Sequence, residues 1–98
     1  MPPSNRARGE VVCTLAGEPR RLCLTLGALA EIETALGCDG LAGLAERMRA
    51  LSARDIAVVL AALLRGGGEH GLANGLRAAG VDPREAAEAV AKTFAAAT

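Results

Sequence analysis

One segment constrains the fold more than any other. Ile56, Val59, Leu60, Leu63 and Leu64 fall at i, i+3, i+4, i+7 and i+8. A 3.6-residue period places all five on one side of an α-helix, an apolar stripe that must be buried against something. The flanking residues agree. Ser52 and Asp55 have capping-box spacing, with Asp where Glu is usual, and Gly66-Gly67-Gly68 ends the pattern. No other segment carries five large apolar residues in register, so this helix is expected to be the core helix, with Leu60 buried.

The elements that cover it are legible on both sides. Residues 1–9 read as a flexible arm. Glu10–Leu15 and residues 20–24 have strand character, with turn residues in Ala16-Gly17-Glu18-Pro19 between them. Placing Val11, Cys13 and Leu15 on the face of Leu22 and Leu24 leaves Cys23 on the other face. A one-residue slip would pair Cys13 with Cys23 and expose the leucines, so no disulfide is expected.

Thr25 can cap a helix carrying Leu26, Leu29, Ile32 and Leu36 along one side, with Gly37 as its stop. A second helix is expected over 41–50, with Leu41, Leu44, Ala45 and Met48 at helical spacing. After the triple glycine comes a weak, irregular helical segment over 72–79, stopped by Gly80. Asp82, Pro83 and Glu85 mark the start of a last helix on which Ala86, Val90, Phe94 and Ala97 share a face. The expected class is α+β and mostly helical: an N-terminal β-hairpin followed by four to five short helices, with 10–98 as one domain.

Composition narrows the function. Phe94 is the only aromatic residue, yet 51% of the chain is hydrophobic, so the core must be built from Leu, Val, Ile and Ala. Such a core buries little area per residue, which favours ordinary stability aided by self-association. The formal net charge is zero, without the basic excess that displaces counterions from nucleic acid. Arg6 and Arg8 form only a short basic tip on a solvated arm. No apolar run of 7–15 residues follows the N-terminus, and none approaches the ~20 residues of a membrane span. With three cysteines at positions 13, 23 and 38 read as reduced thiols, the expected setting is the cytoplasm.

No motif carries catalysis. Gly66-Gly67-Gly68-Glu69-His70-Gly71 formally matches G-x-G-x-x-G, but a helix precedes it where a dinucleotide site needs a strand. It reads as a helix stop and a mobile connector. His70, the only histidine, reads as a surface loop residue without nucleophile or orienting carboxylate. Glu31 and Glu33 point about 200° apart on a helix and cannot share a site. One His and three scattered Cys give no metal-ligand cluster. The charges of Glu46-Arg47-Met48-Arg49 and Arg84-Glu85 read as solvated helix faces. No catalytic, cofactor-binding or metal-binding residue is assigned, and the chain is expected not to be an enzyme. What remains is protein binding, since one of the apolar stripes could line a groove for a partner helix.

Three segments together carry a resemblance. They are Asn5-Arg6 with Arg8-Gly9-Glu10-Val11, then Leu24-Thr25-Leu26-Gly27-Ala28-Leu29-Ala30-Glu31-Ile32-Glu33, and Asp55-Ile56 followed by Leu64-Arg65-Gly66-Gly67-Gly68. In this order and spacing, over about residues 5–70, the chain resembles the gene transfer agent family of small tail proteins, labelled phage tail tube protein or tail assembly chaperone. The resemblance implies a role in building the tail of a phage-like particle and brings no catalytic residues. The two labels imply different roles. A chaperone would hold apolar helices of the tape-measure protein until tube subunits polymerise around it. A tube subunit would join a ring and remain in the particle. Some ten strand residues cannot build the sheet that closes a ring, so the expected function is assembly chaperone, with other tail proteins as partners. The alternatives are a structural tail component and an unrelated regulatory binding module.

Overall fold

The core helix explains the rest of the architecture. In the computed structural model, which describes residues 9–97, the order is β1 (Glu10–Leu15), β2 (Glu18–Cys23), α1 (Leu26–Leu36), α2 (Gly40–Met48), α3 (Ala53–Gly66), α4 (His70–Asn74) and α5 (Pro83–Ala96). The helix carrying the apolar stripe is α3, and it packs against α1, α5, α4 and β2. Val59, Leu60, Ala62, Leu63 and Leu64 are buried, with Leu60 1% exposed. Ile56 is half-buried, because it lies nearer the open N-terminal end of the stripe. The class is α+β and mostly helical, among the described residues a hairpin followed by five helices.

Local chemistry sets the boundaries. Both bonds of the capping box form: Asp55 N–H donates to Ser52 Oγ at 3.1 Å and Ser52 N–H to Asp55 Oδ2 at 3.4 Å. Thr25 Oγ1 accepts from Ala28 N–H at 3.0 Å, and Gly37 closes α1 in the left-handed region. Asp82 Oδ1 accepts from Arg84 N–H at 2.7 Å, with Pro83 at the first turn of α5. Several expectations shift. Leu26, expected on the apolar side of α1, is 83% exposed, and Ala28 is buried there with Ile32 and Leu36. The second helix runs 40–48 instead of 41–50. The fourth begins earlier, at His70, and ends at Asn74; residues 75–80 are turns, since Gly75 interrupts the helix. On α5 the buried residues are Ala86, Ala89, Val90 and Thr93, whereas Phe94 is half-buried and Ala97 exposed. Thr93 is tolerated inside because its hydroxyl donates to Ala89 O at 2.7 Å. Leu44 is buried and Met48 half-buried; the side chains of Leu41 and Ala45 lie outside those described. Most of the expected N-terminal arm, with Arg6 and Arg8, likewise lies outside the described residues; Gly9 is buried.

The hairpin is tighter than its sequence suggests. Its turn is the two-residue pair Ala16-Gly17, with φ of 54° and 81°, and both positive values match the twist of a type I′ hairpin. Strand β2 therefore starts at Glu18, two residues before the expected start. Pro19 is accommodated because it lies opposite Thr14, next to the closing pair, where the strand makes no cross-strand bond. Val11 pairs with Leu22 and Cys13 with Arg20, so Val11, Cys13, Leu15 and Leu22 share a face, and Cys23 lies on the other.

Candidate functional site

The triple glycine is a joint rather than a mobile connector. In this register the carbonyls of Arg21 and Cys23 point away from β1, leaving an open strand edge. The end of α3 covers that edge at very short range. A Cβ on Gly66 would sit 2.1 Å from Cys23 O, and one on Gly67 2.1 Å from Arg21 O, so only glycine permits the approach. Glu69 completes the joint. Its carboxylate accepts from Arg21 N–H at 3.0 Å and lies 3.8 Å from the Arg20 guanidinium, while its own N–H donates to Leu64 O at 2.8 Å. The loop is occupied in structural bonding, and no strand leads into it as a phosphate-binding turn requires.

The other residues weighed in the sequence lie apart from one another. His70 is exposed at the start of α4, and Glu69 beside it faces β2. Glu31 pairs with Arg65 of α3, while Glu33 accepts from the Gly40 N–H at the start of α2. None of the three cysteines, Cys13, Cys23 and Cys38, is in a disulfide. Burial pushes the Cys13 thiol above its ordinary value; Lys92 opposes the shift and Glu88 adds to it. Among the described residues no cluster of His, Cys, Asp or Glu could hold a metal ion, and no helix is long and apolar enough to cross a membrane.

What the structure does present is a groove along α3. Once α1, α5 and β2 have covered the main stripe, one line of the helix remains only half-covered. It consists of Ala57, Val58 and Ala61, bracketed by Arg54 and Arg65. These positions are neighbours at spacings of three and four along one helix face. The opposite wall is the segment from Ala73 to Ala78, and the hollow between them measures about 480 Å³. A second hollow of about 230 Å³, lined by Ile56, Leu60, Leu76, Val81 and Ala86, adjoins it; Ala57, Leu76 and Arg77 line both. The wall is lightly held, with Ala78 N–H bonded to Gly75 O and Ala79 N–H to Leu76 O as its turn bonds.

Arginines supply the charge around the groove. Arg65 is held by Glu31, whereas Arg54 and Arg77 are exposed and have no carboxylate partner among the described residues. Neither hollow is lined by Asp or Glu. The sequence contained the signal in the small apolar residues between two arginines on α3. Which stripe stays open, however, depends on where the other elements pack.

The family model described as phage tail tube protein, GTA-gp10, covers residues 8–98. No curated protein and no solved structure matches the chain.

Proposed function

Since the chain belongs to the phage tail tube protein GTA-gp10 family, and so has a role connected with the tail of a gene transfer agent, we propose that it acts as a tail assembly chaperone. It shelters an apolar helix of the tape-measure protein in the groove along α3 and releases it when the tube closes around that protein. The observation that carries this reading is the half-covered apolar line of Ala57, Val58 and Ala61 beside a loosely bonded wall. The sheet adds support, because among the described residues it has two strands, too few to form a ring wall without partners.

The energetics suit a reversible helper. If on the order of 400 Å² of apolar surface is buried, at about 25 cal/mol per Å², the gross gain is about 10 kcal/mol. Lost translation, rotation and side-chain freedom remove about 4–15 kcal/mol. At most about 6 kcal/mol remains, a Kd no tighter than roughly tens of micromolar, weak enough for displacement by polymerising tube subunits. The protein then works in the producing cell before the tail is complete.

The test is co-expression with the tape-measure protein of the same gene cluster. Solubility of the tape-measure protein should rise, and Val58→Asp, which places a charge on the groove floor, should abolish the rise. No gain in solubility with the unaltered chain would sink the chaperone reading. The family description itself favours a second reading, a structural part of the tail. Mass spectrometry of purified particles beside the producing lysate separates the two: stoichiometric presence in particles supports the structural part, and presence in the lysate alone supports the chaperone.

A further inference from the structure

We infer that the groove along α3 is selective for charge: its occupant is an amphipathic partner helix whose apolar stripe is flanked by Asp or Glu, recognised by Arg54 and Arg77. The inference rests on the reading of the groove as a helix-binding site and adds the chemistry of the helix it takes.

The argument starts from dimensions. From Arg54 to Arg65 the floor spans twelve residues, about 16 Å at a rise of about 1.5 Å between neighbours. That length accommodates about three turns of a second helix. Ala57 and Ala61 are small, so a partner backbone can approach closely, and Val58, Leu76 and Ile56 offer larger apolar contacts at the sides. Such a floor accepts many apolar stripes and discriminates poorly among them. Selectivity must come from the rim.

The rim is positive although the chain is neutral. Asp55 pairs with Arg47, Glu31 with Arg65, and Glu69 and Glu18 with Arg20, so none of these four carboxylates neutralises Arg54 or Arg77. Arg54 stands at one end of the floor, and Arg77 lies where the two hollows meet on the facing wall. A helix lying between them presents its two flanks to these two guanidiniums. Acidic flanks would complete both, whereas basic flanks would meet two like charges with no neutralising carboxylate lining either hollow. Exposed pairs of this kind add modest affinity but set partner choice and orientation.

The experiment uses the full chain and three synthetic helical peptides of about four turns. They share one Leu/Ala stripe and differ only in flanking residues: Glu, Gln or Lys. Fluorescence anisotropy at low salt should rank them Glu, Gln, Lys, with about a fivefold step in Kd between Glu and Gln from two exposed pairs. That step should shrink at ~0.3 M salt, where screening is stronger. Both arginines are exposed, so Arg54→Glu combined with Arg77→Glu should fold, as far-UV circular dichroism checks, and should invert the ranking. Equal affinity for all three peptides would overturn the charge inference while leaving the groove reading intact. Binding of none would overturn both for these helices, and co-expression with the tape-measure protein would still judge the chaperone reading separately. A dimer in sedimentation that the double variant abolishes would show a second copy of this chain in the groove and overturn the inference.

Discussion

Replacing Gly67 with Ala tests whether the contact between α3 and the hairpin is as close as the structure has it. The new Cβ would lie 2.1 Å from Arg21 O, 2.5 Å from Arg21 C and 2.9 Å from Leu22 N. All three are backbone atoms, so no side chain can rotate away, and ordinary contact requires about 3.5 Å. The end of α3 or strand β2 would have to move by about 1 Å. Backbone conformation does not oppose the change, because φ at Gly67 is −88°; at an unhindered site the same substitution would stabilise by about 0.4–1 kcal/mol. Overpacking of this kind costs about 1–3 kcal/mol, and the displacement also weakens the bond from Arg21 N–H to Glu69. A net loss of about 1–2 kcal/mol is expected once the two effects are combined. Urea denaturation measures it. Gly71→Ala serves as the internal control, since nothing lies within 4 Å of its Cβ and α4 should gain about 0.5–1 kcal/mol. Hydrogen exchange at the Arg21 amide should accelerate in Gly67→Ala alone. A variant as stable as the parent, with Arg21 still protected, would refute the close joint.

Other outcomes follow from the same structure. Leu60→Ala should cost about 2–5 kcal/mol in denaturation, through lost transfer energy and a cavity beneath α3; a loss below about 1 kcal/mol would contradict its burial. Ala16→Gly should stabilise the hairpin by a few tenths to about 1 kcal/mol, because the left-handed conformation at this turn is strained for any residue with a Cβ; no gain would dispute the turn. Thiol titration after gentle air exposure should find three thiols per chain under denaturing conditions. Because the Cys13 thiol is raised by burial, the unfolded chain ionises first. The associated stability is present below the ordinary thiol range and is lost as pH rises through it toward the raised value. Denaturation at pH 7.5 and 10 should show this decline, and Cys13→Ala should reduce it.

Periodicity and punctuation made most of the secondary structure legible. The stripe from Ile56 to Leu64, the Ser52–Asp55 box, the Thr25 and Asp82 caps and the Gly37 stop act through neighbours within one or two turns, and each formed as the residue types dictate. The hairpin register was also readable, since only one alternation places Val11, Cys13, Leu15 and Leu22 on a common face. The family resemblance was likewise carried by short segments along the chain.

What sequence alone left undecided depends on contacts between distant segments. The glycines at 66 and 67 look like a flexible stop until β2, more than forty residues earlier, is brought against them. Glu69 gives no local sign that it bonds the amide of Arg21. The groove belongs to the same category. Ile56, Ala57, Val58 and Ala61 are as apolar as their buried neighbours, and α3 is nearly apolar all round. Periodicity can say that such a helix must be covered, but not where the cover ends. That boundary is set by the packing of α1, α5 and β2 on one side and by the short α4 and its turns on the other. The core helix was therefore determined locally. The surface it leaves for a partner was decided by tertiary packing, because burial is a property of neighbours in space and not in sequence.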